Sequence, residues 1–409
     1  MDRLSVRVCG PSAAGVRSER RVGCWLSDKK RRRMNLDAFI RFCIDLTQPL
    51  GPQGPFDIIL HKLSDVIVEA KHDSQSQQLL DNFQVIYVSA HPDTVLLDPL
   101  PAMAKLLDRF VSGRIMSQLN SSLRDWRICS PPCLEVHSGS DLSSIQQAVI
   151  RQGLTFPLIC KTRVAHGSYS HEMCLLFSAA SLADIHPPCV LQSFVNHGAV
   201  LYKVFVVGDK HCCVERPSIK NFPSGPCDRK TIFFNSQKVS KPESNSNLTS
   251  VDEHMVDPPS PSSDAVAALV KELRAQLGMA LFGVDVIVNI GTHALTVIDI
   301  NIFPGYEGMP QFFSSLLSHI QSVLDKHAAA GSHTTGGSSE ETVGVCHPRT
   351  SSLAFSITLF CWGSFSSTSF AASSFLNPVS VFSESGSLSP SSPSSFFFSL
   401  SSFFSSPVF

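Results

Sequence analysis

The chain has 409 residues, which is too long for one ordinary domain and predicts two or three. Its 33 Lys and Arg are balanced by 34 Asp and Glu, and this balance excludes a protein that coats a nucleic acid along its whole length. Hydrophobic residues make up 43% of the chain, which is enough for a sizeable core and excludes disorder throughout.

The C-terminal part has a composition of its own. Residues 351–409 contain 23 Ser, 12 Phe and one charged side chain, Glu384, which explains why charged residues are only 16% of the whole chain. We predict that residues 327–409 form a flexible linker and a low-complexity, disordered tail. A hydrophobic anchor and translated non-coding sequence also fit this composition, and the last is the interpretation that we favour.

The cysteine pattern indicates a reducing compartment. The 13 cysteines are odd in number and include no Cys-x-x-Cys pair. The first 21 residues are basic and polar and lack the apolar run of a secretory signal. Up to residue 350 no stretch has eighteen consecutive apolar residues, so we expect no membrane-spanning helix there and a cytoplasmic protein.

Apolar strands alternate with helical periodicity near the N-terminus. The predicted strands are residues 22–26, 56–63 and 94–102. A helix is expected to begin near Asn35. Its apolar face would consist of Leu36, Phe39, Ile40 and Cys43. The alternation indicates a small α/β domain over residues 21–105, preceded by a divergent segment at residues 1–20.

Strands dominate the middle of the chain. The predicted strands are residues 156–163, 171–177, 189–195 and 199–209. Gly167 and the run Asn196-His197-Gly198 separate neighbouring strands and predict an antiparallel hairpin or meander. We divide this region into a central subdomain of residues 106–195 and a C-terminal subdomain of residues 196–326.

A loop, a helix and two strands follow. Residues 241–263 are rich in Pro and Ser and are predicted as a loop. Asp264 or Ser263 is expected to cap an amphipathic helix that ends at Gly278. The apolar face of this helix would be Val266, Leu269, Val270, Leu273 and Leu277. The last predicted elements are strands at residues 281–289 and 295–303 and a helix at residues 310–326.

Three oxygen-bearing side chains interrupt the last two strands. Asp299 and Asn301 are two residues apart and therefore share one face of their strand. The neighbouring strand can bring Asp285 beside them. Two carboxylates and an amide oxygen among apolar residues are ligands that suit Mg²⁺, so we predict a magnesium site. The alternative is that each residue ends a strand and faces water.

Two lysines also interrupt apolar strands. Lys161 stands in LICKTR and Lys203 in VLYKVF, and a buried ammonium group needs an anion. Beside a magnesium site, a nucleotide phosphate is the natural partner. Taken singly, each lysine could equally lie on an edge strand and extend its ammonium group to water.

Two further segments could meet an anionic substrate. Residues 164–171 form a Gly/Ser turn between strands that can present backbone N–H groups to phosphate, although they do not form a Walker A loop. His171 in this turn is compatible with either a core position or an anion ligand. Residues 29–33 are basic and precede a helix N-terminus, which favours an anion; a nuclear-localisation run or a solvated face is the alternative.

Three motifs carry a resemblance to a known family. They are TRVAHGSYSHEM at residues 162–173, VLYKVFVVG at residues 200–208 and DINIFPGYEG at residues 299–308. In this order they resemble the inositol-tetrakisphosphate 1-kinase (inositol 1,3,4-trisphosphate 5/6-kinase) family, with gaps, from about residue 21 to residue 325. The resemblance implies the ATP-grasp fold, in which a small N-terminal α/β domain precedes two domains whose antiparallel sheets clamp ATP.

The resemblance also implies an activity. The γ-phosphate of ATP would pass, with two Mg²⁺ ions, to a free hydroxyl of an inositol polyphosphate. The expected substrates are inositol 1,3,4-trisphosphate at its 5- and 6-hydroxyls and inositol 3,4,5,6-tetrakisphosphate at its 1-hydroxyl. Such a transfer depends on alignment and charge neutralisation more than on a strong general base. A monomer without nucleic-acid or membrane partners is the accompanying expectation.

The same resemblance assigns roles to residues. Substrate phosphates would be held by Lys30, His171, Lys203 and Asn301. The ATP site would be lined by Arg109, Lys161, Gln192 and the segment from it to Lys203, Ser218, Ser236 and Ser240. The metal ligands would be Asp285 for the first ion, Asp299 for both and Asn301 for the second. Catalysis would depend on Lys203, Asp299 and His171, with His171 a weaker candidate for proton handling than for phosphate binding.

The chain departs from the family pattern at its N-terminus. Between Cys43 and Ile44 it lacks about a turn of basic helix and a loop, and residues 110–123 match poorly. Two other classes stay open. An ATP-grasp carboxylate–amine ligase would share the lysines and the metal ligands but would gain nothing from the basic cluster. A non-catalytic inositol phosphate or nucleotide binder would not need the metal triad.

Overall fold

The computed structural model describes residues 20–36, 42–250, 259–332 and 358–362, all within one compact unit of residues 1–364. Three five-stranded sheets organise these residues. The mixed α/β class predicted from the sequence is confirmed. Within the described ranges no helix has both the length and the apolarity to cross a membrane.

The first sheet, the N-terminal sheet, is parallel. In spatial order its strands are β2 (Phe42–Cys43), β15 (Thr358–Trp362), β1 (Arg21–Trp25), β3 (Ile58–His61) and β4 (Val95–Leu97). Both faces of a parallel sheet are covered, and Val22 and Ile58 on one face and Ile59 on the other are accordingly buried. The helices of this part are α1 (Asp28–Arg33), α2 (Ser64–Glu69), α3 (Ser74–Asp81) with its π-helical continuation Asn82–Val88, and α4 (Leu100–Ala104).

Strand β15 comes from the C-terminal part of the chain. It pairs in parallel with all five residues of β1 and, on its other side, with β2. Strand β15 therefore lies between β2 and β1, and among the described strands it supplies the pairing on this side of β1. These five residues lie in the stretch for which the sequence composition predicts a low-complexity tail.

Residues 29–33, which the sequence pattern places before a helix, lie in a helix themselves. It spans Asp28–Arg33, and the hydroxyl of Ser27 accepts a hydrogen bond from the backbone N–H three residues later. Cys43 lies in a strand instead of on a helix face, while Phe39 and Ile40 lie outside the described residues. A serine cap followed by an aspartate in the first turn is the start signal that was missed.

The second sheet, the central sheet, is antiparallel. In spatial order its strands are β12 (Ile232–Asn235), β8 (Glu172–Leu176), β7 (Leu158–Thr162), β9 (Cys189–Ser193) and β6 (Cys133–Val136). Helix α6 (Leu142–Arg151) contributes Ile145 and Val149 to the core of this sheet. A 3₁₀ turn, Ser168–His171, joins β7 to β8, and the short helix α7 (Ser236–Val239) follows β12.

The third sheet, the C-terminal sheet, carries the predicted metal ligands. In spatial order its strands are β11 (Lys210–Pro217), β10 (Val200–Val207), β13 (Leu281–Val288), β14 (Leu295–Ile302) and β5 (Ile128–Cys129). Only the pairing of β5 with β14 is parallel among these described strands. The helices whose apolar residues share its core are α5 (Arg109–Leu123), α8 (Ser263–Leu277) and α9 (Phe312–Ser332).

Helix α8 confirms the predicted amphipathic pattern. All five residues of the predicted apolar face are buried, and Gly278 ends the helix with φ of 69°. The cap is Ser262, one residue before the predicted positions, and its hydroxyl accepts from the N–H of Ala265 at 3.5 Å. The helix therefore packs on the sheet through the stripe that its 3.6-residue period defines.

The predicted turn at residues 196–198 is not a hairpin. Strand β9 belongs to the central sheet and β10 to the C-terminal sheet, so the chain crosses between sheets here. The Oδ1 atom of Asn221 accepts hydrogen bonds from the N–H groups of His197 and Gly198, both at 3.0 Å. A side chain thus satisfies N–H groups that a hairpin would pair with a strand. Asn, His and Gly suit both kinds of turn, so the local pattern could not separate them.

Candidate functional site

A row of charged side chains crosses the C-terminal sheet. Lys203 on β10 is directly opposite Asp285 on β13, which is directly opposite Asp299 on β14. Directly opposite residues share a face of the sheet, so all three side chains lie on one side. The ammonium of Lys203 donates to both carboxylate oxygens of Asp285, each at 2.9 Å. The sequence prediction that Asp285 lies beside Asp299 is correct in register.

A β-bulge follows this row. Asp285 pairs with Asp299 but Val286 pairs with Val297, which leaves Ile298 without a partner across the strand. The carbonyl oxygen of Ile298 accepts a hydrogen bond of 2.8 Å from the ammonium of Lys161. Because Lys161 is on β7 of the central sheet, the bulge links the two sheets beside the charged row.

Burial lowers the pKa of Lys161, and the charge of Asp299 opposes that shift. Lys161 is only 6% exposed. A buried ammonium of this kind gains from an anionic ligand, since desolvation penalises its charge.

Asn301 extends the same face. It lies two residues beyond Asp299 and pairs with Gly283. A Cβ atom at Gly283 would stand 2.9 Å from Cγ of Pro304. The glycine therefore allows the Phe303-Pro304-Gly305 turn to lie against β13, beside the amide of Asn301.

The chemistry of this donor set suits a magnesium ion, which would replace the ammonium of Lys203 at the oxygens of Asp285. The two carboxylates face each other, and Oδ2 of Asp299 lies 4.0 Å from Arg109 Nη2, beyond hydrogen-bonding distance. In the part of the chain that the structure describes, no three His, Cys, Asp or Glu side chains gather closely enough to hold a metal. An ion here would be held by Asp285, Asp299 and the amide oxygen of Asn301, with phosphate oxygens completing its shell.

Arg109 joins the end of β7 to the turn that follows it. Its guanidinium donates to the carbonyl oxygens of Thr162, Val164 and Ser170 at 2.8, 3.2 and 2.9 Å. The side chain is 6% exposed and begins helix α5. It thus fixes the Gly/Ser turn between β7 and β8 close to Asp299.

A cavity lies between the central and C-terminal sheets. Its lining includes Arg109, Lys161, Gln192, Ile298 and Asp299, and the volume that a water molecule can enter is about 10 Å³. Small-molecule pockets usually measure about 300–1,000 Å³, so a nucleotide would enter here only if the two sheets moved apart. Arg109, Lys161 and Gln192, all assigned to the ATP site by resemblance, are brought together here.

His171 stands at the end of the Gly/Ser turn. The amide of Gln237 donates to its Nε2 atom at 2.7 Å, so the ring carries its proton on Nδ1. Burial and the charge of Arg109 lower the pKa of His171, and Asp299 opposes them. A neutral ring that donates through Nδ1 can hydrogen-bond an anion without adding a full charge.

Two lysines of the N-terminal domain meet the turn after β14. The ammonium of Lys30 donates to the carbonyl oxygens of Phe303, at 2.7 Å, and Pro304. The ammonium of Lys62 donates to the same Phe303 oxygen at 3.3 Å. Burial lowers the pKa of both lysines, and the charge of Lys62 lowers that of Lys30 further. A phosphate near this pair would relieve both penalties.

The serines assigned by resemblance are dispersed. The hydroxyl of Ser218 is buried against His197 Nε2 at 2.7 Å. Because the other ring nitrogen of His197 donates to the Val195 carbonyl, Nε2 accepts from Ser218. Ser236 begins the short helix α7, and Ser240 follows it. Their roles at a nucleotide site stay predictions.

Lys62 and His166 were not among the residues predicted from the sequence. Burial and the charge of Lys62 lower the pKa of His166 to about 4, and Asp299 lies within electrostatic reach of the ring. Lys62 directly follows β3, and Lys30 lies on the helix after β1. Ligands bind outside the carboxyl ends of parallel strands, and that rule was the signal available for Lys62.

Comparison with known sequences decides the family. A model of the inositol 1,3,4-trisphosphate 5/6-kinase ATP-grasp domain matches residues 122–322, and one of the pre-ATP-grasp domain of the same kinases matches residues 21–103. The chain belongs to this family. The resemblance and the ATP-grasp fold inferred from its motifs are thereby confirmed, and so is membership of a kinase family.

Two relatives that share the family's name agree with the family match. The chain is 50% identical over 321 residues to inositol-tetrakisphosphate 1-kinase of Danio rerio, which covers 76% of this chain and 81% of that one. It is 48% identical over 317 residues to the Xenopus laevis protein of the same name, with 75% and 80% covered. D-alanine–D-alanine ligase of Bacillus anthracis, a solved structure, covers 76% of this chain and all of its own at 12% identity and a TM-score of 0.46.

Proposed function

We propose that the chain is a kinase that transfers the γ-phosphate of ATP to a free hydroxyl of an inositol polyphosphate, with Mg²⁺. The observation that carries the proposal is the row Lys203, Asp285 and Asp299 next to a cavity that Lys161 and Arg109 enter from the other sheet. Family membership supports the same reaction.

ATP and the inositol polyphosphate would each be held by a different set of residues near the charged row. Arg109, Lys161 and Gln192 line the cavity and would hold the nucleotide, with Ser218, Ser236 and Ser240 as further predicted contacts. Lys30, Lys62 and His171 would hold phosphates of the inositol. Asp299 lies within electrostatic reach of Lys161 and of His171, so it stands where the two groups meet.

The chemistry needs charge neutralisation and alignment. The hydroxyl oxygen forms a bond to the γ-phosphorus, the bond from that phosphorus to the bridging oxygen breaks, ADP leaves, and the hydroxyl proton passes to solvent. Bound Mg²⁺, held by Asp285, Asp299 and Asn301 in two sites, would neutralise phosphate charge. Lys203, which is a member of the charged row beside Asp285, would hold the transferring phosphate in line.

The finer expectations follow from the family. We propose inositol 1,3,4-trisphosphate as a substrate at its 5- and 6-hydroxyls and inositol 3,4,5,6-tetrakisphosphate at its 1-hydroxyl. A monomer in the cytoplasm, without nucleic-acid or membrane partners, is the arrangement that we propose for the protein.

The test is phosphate transfer from labelled ATP to inositol 1,3,4-trisphosphate by the full chain with Mg²⁺. We expect a tetrakisphosphate product from the wild type and from Asp93→Ala, an exposed aspartate of the N-terminal domain. Asp299→Ala should lower turnover by about 10²-fold or more, because it removes charge stabilisation at the transferring group.

Two outcomes would contradict the proposal. A wild type that binds both compounds without turnover is a non-catalytic binder. An acyl-phosphate trapped by hydroxylamine in the absence of inositol phosphates would identify a carboxylate–amine ligase instead.

A further inference from the structure

A buried carboxylate joins the N-terminal domain to the C-terminal sheet. Asp98, directly after β4, is 4% exposed. Its Oδ1 accepts from the N–H of Ala280 at 2.7 Å, and its Oδ2 accepts from the N–H of Leu281 at 2.8 Å. Leu281 is the first residue of β13, the strand that carries Asp285. Both oxygens of one side chain therefore hold the start of that strand.

Further hydrogen bonds connect Leu281 to Phe303, and Phe303 to two lysines. The carbonyl oxygen of Leu281 accepts from the N–H of Phe303 at 3.0 Å. The carbonyl oxygen of Phe303 in turn accepts from Lys30 and Lys62 of the N-terminal domain. The N-terminal domain thus hydrogen-bonds to Leu281 and Phe303, which are themselves hydrogen-bonded to each other. Asp98 accepts from Leu281, and the ammonium groups of Lys30 and Lys62 donate to Phe303.

These hydrogen bonds lie next to the proposed site of phosphoryl transfer. Leu281 is two residues before Gly283 and Phe303 is two residues after Asn301, and Gly283 pairs with Asn301. A shift of Leu281 and Phe303 would move Asn301 relative to Lys30 and Lys62. This series of hydrogen bonds therefore sets the distance from Lys30 and Lys62 to the side-chain amide of Asn301.

We propose that Asp98 is a positioning residue that sets the inositol polyphosphate site by fixing the N-terminal domain on strand β13. The inference rests on the proposed kinase function and names a residue that touches neither substrate. Lys105 provides a second contact of the same kind: its ammonium donates to the carbonyl oxygens of Gln276, at 2.8 Å, and Leu277, at 3.2 Å.

The carboxylate is suited to this task at neutral pH. Burial raises the pKa of Asp98 to about 6, against the opposing effect of the two backbone N–H groups. Above that pH both oxygens are acceptors. An asparagine of the same shape offers one acceptor and places an N–H₂ group against the second backbone donor, which leaves that donor unpaired.

The experiment compares Asp98→Asn with the wild-type full chain. We expect the KM for inositol 1,3,4-trisphosphate to rise about tenfold or more, because a hydrogen bond to a charged acceptor contributes at least that factor. The KM for ATP should stay within about twofold, since the residues that line the nucleotide cavity do not include Asp98. The exposed Asp93→Asn, five residues earlier, is the matched control and should change neither constant.

Further readouts separate positioning from loss of fold. Hydrogen exchange at the Ala280 and Leu281 amides should accelerate in Asp98→Asn. Lys105→Met, at a partly buried contact, should raise the same KM more weakly and serves if Asp98→Asn does not fold. An unchanged KM for inositol phosphate in both variants, or equal rises in the two KM values, would overturn the inference. Absence of turnover in the wild type would instead overturn the proposed function.

Discussion

The ammonium groups of Lys30 and Lys62 meet at one acceptor, the carbonyl oxygen of Phe303. Two cations on one neutral oxygen repel each other, and burial adds to the cost because it lowers the pKa of both. A phosphate of the inositol would supply the missing negative charge. The contact keeps both side chains oriented at an energetic cost that the proposed binding of a substrate phosphate would relieve.

Replacing Lys62 with methionine tests this interpretation. The variant keeps the aliphatic stem and removes the charge, so we expect the affinity for inositol 1,3,4-trisphosphate to fall about 10- to 100-fold, the usual effect of one charge-assisted hydrogen bond. Titration calorimetry gives the affinity directly. The exposed Lys71→Met is the control, and equal affinities in the two variants would contradict a phosphate-binding role for Lys62.

Candidate site residues could be predicted from the sequence where a charged side chain interrupts an apolar strand. Lys161, Lys203, Asp285 and Asp299 break apolar strands, and the structure brings all four to one region. Lys62 follows a strand, where a lysine is ordinary, so the sequence offers no such contrast. Its importance depends on which strands are neighbours.

At the scale of elements, the bulge between β13 and β14 shapes the site. It leaves the Ile298 carbonyl unpaired in the ladder, and Lys161 from the other sheet uses it. On the same two strands, Gly283 lets Pro304 approach within van der Waals distance. These two local irregularities connect the sheets and seat the turn that carries Phe303.

Gly283→Ala should destabilise the protein. The new Cβ would stand 2.9 Å from Pro304 Cγ, so the turn must shift, and we expect a loss of about 1–3 kcal/mol in the free energy of unfolding. Urea denaturation measures this loss. Gly51→Ala, where the added Cβ meets nothing within 4 Å, should change stability by less than about 0.5 kcal/mol. Similar losses in both variants would refute the steric explanation.

Strand β15 should stabilise the N-terminal sheet. It pairs with five residues of β1, and each backbone hydrogen bond contributes about 1 kcal/mol. A chain that ends at Ser332 should therefore melt at a lower temperature than one that ends at Ser364, which retains the strand. Calorimetry of the two truncated chains provides the comparison. Coincident melting curves would show that β15 adds nothing to the sheet.

The sequence predicts where helices and strands lie better than it predicts which strands pair with each other. Alternation and helical periodicity located most strands and helix α8, because burial on one face leaves a local pattern. The crossing at residues 196–198 and the pairing of β15 with β1 have no such pattern, since both depend on distant segments. For the same reason the C-terminal composition gave no sign of a strand.

For the molecule as a whole, buried neutral histidines should govern acid stability. Burial lowers the pKa of His61 and of His197 to about 4. Below pH 6.5 the unfolded chain binds protons at these rings and the folded chain does not. The free energy of unfolding should therefore fall as the pH drops from about 6.5 to about 4, by about 3 kcal/mol for each ring.

His61→Phe measures one of these contributions. His61 packs against Phe83, and its ring nitrogens are buried. The variant should lose stability less steeply than the wild type between pH 7 and pH 4.5 in urea denaturation. Parallel stability curves would show that His61 does not titrate with a lowered pKa.

The parallel pairing of Arg21 with Thr358 has a consequence for synthesis of the chain. Residues of β1 leave the ribosome early, whereas their neighbour β15 emerges only after the two other sheets have been translated. The N-terminal sheet can therefore close only after β15 has emerged, while the central and C-terminal sheets can already form. Contacts of such long sequence separation form slowly. A nascent chain would consequently expose one edge of β1 until residue 362 has emerged.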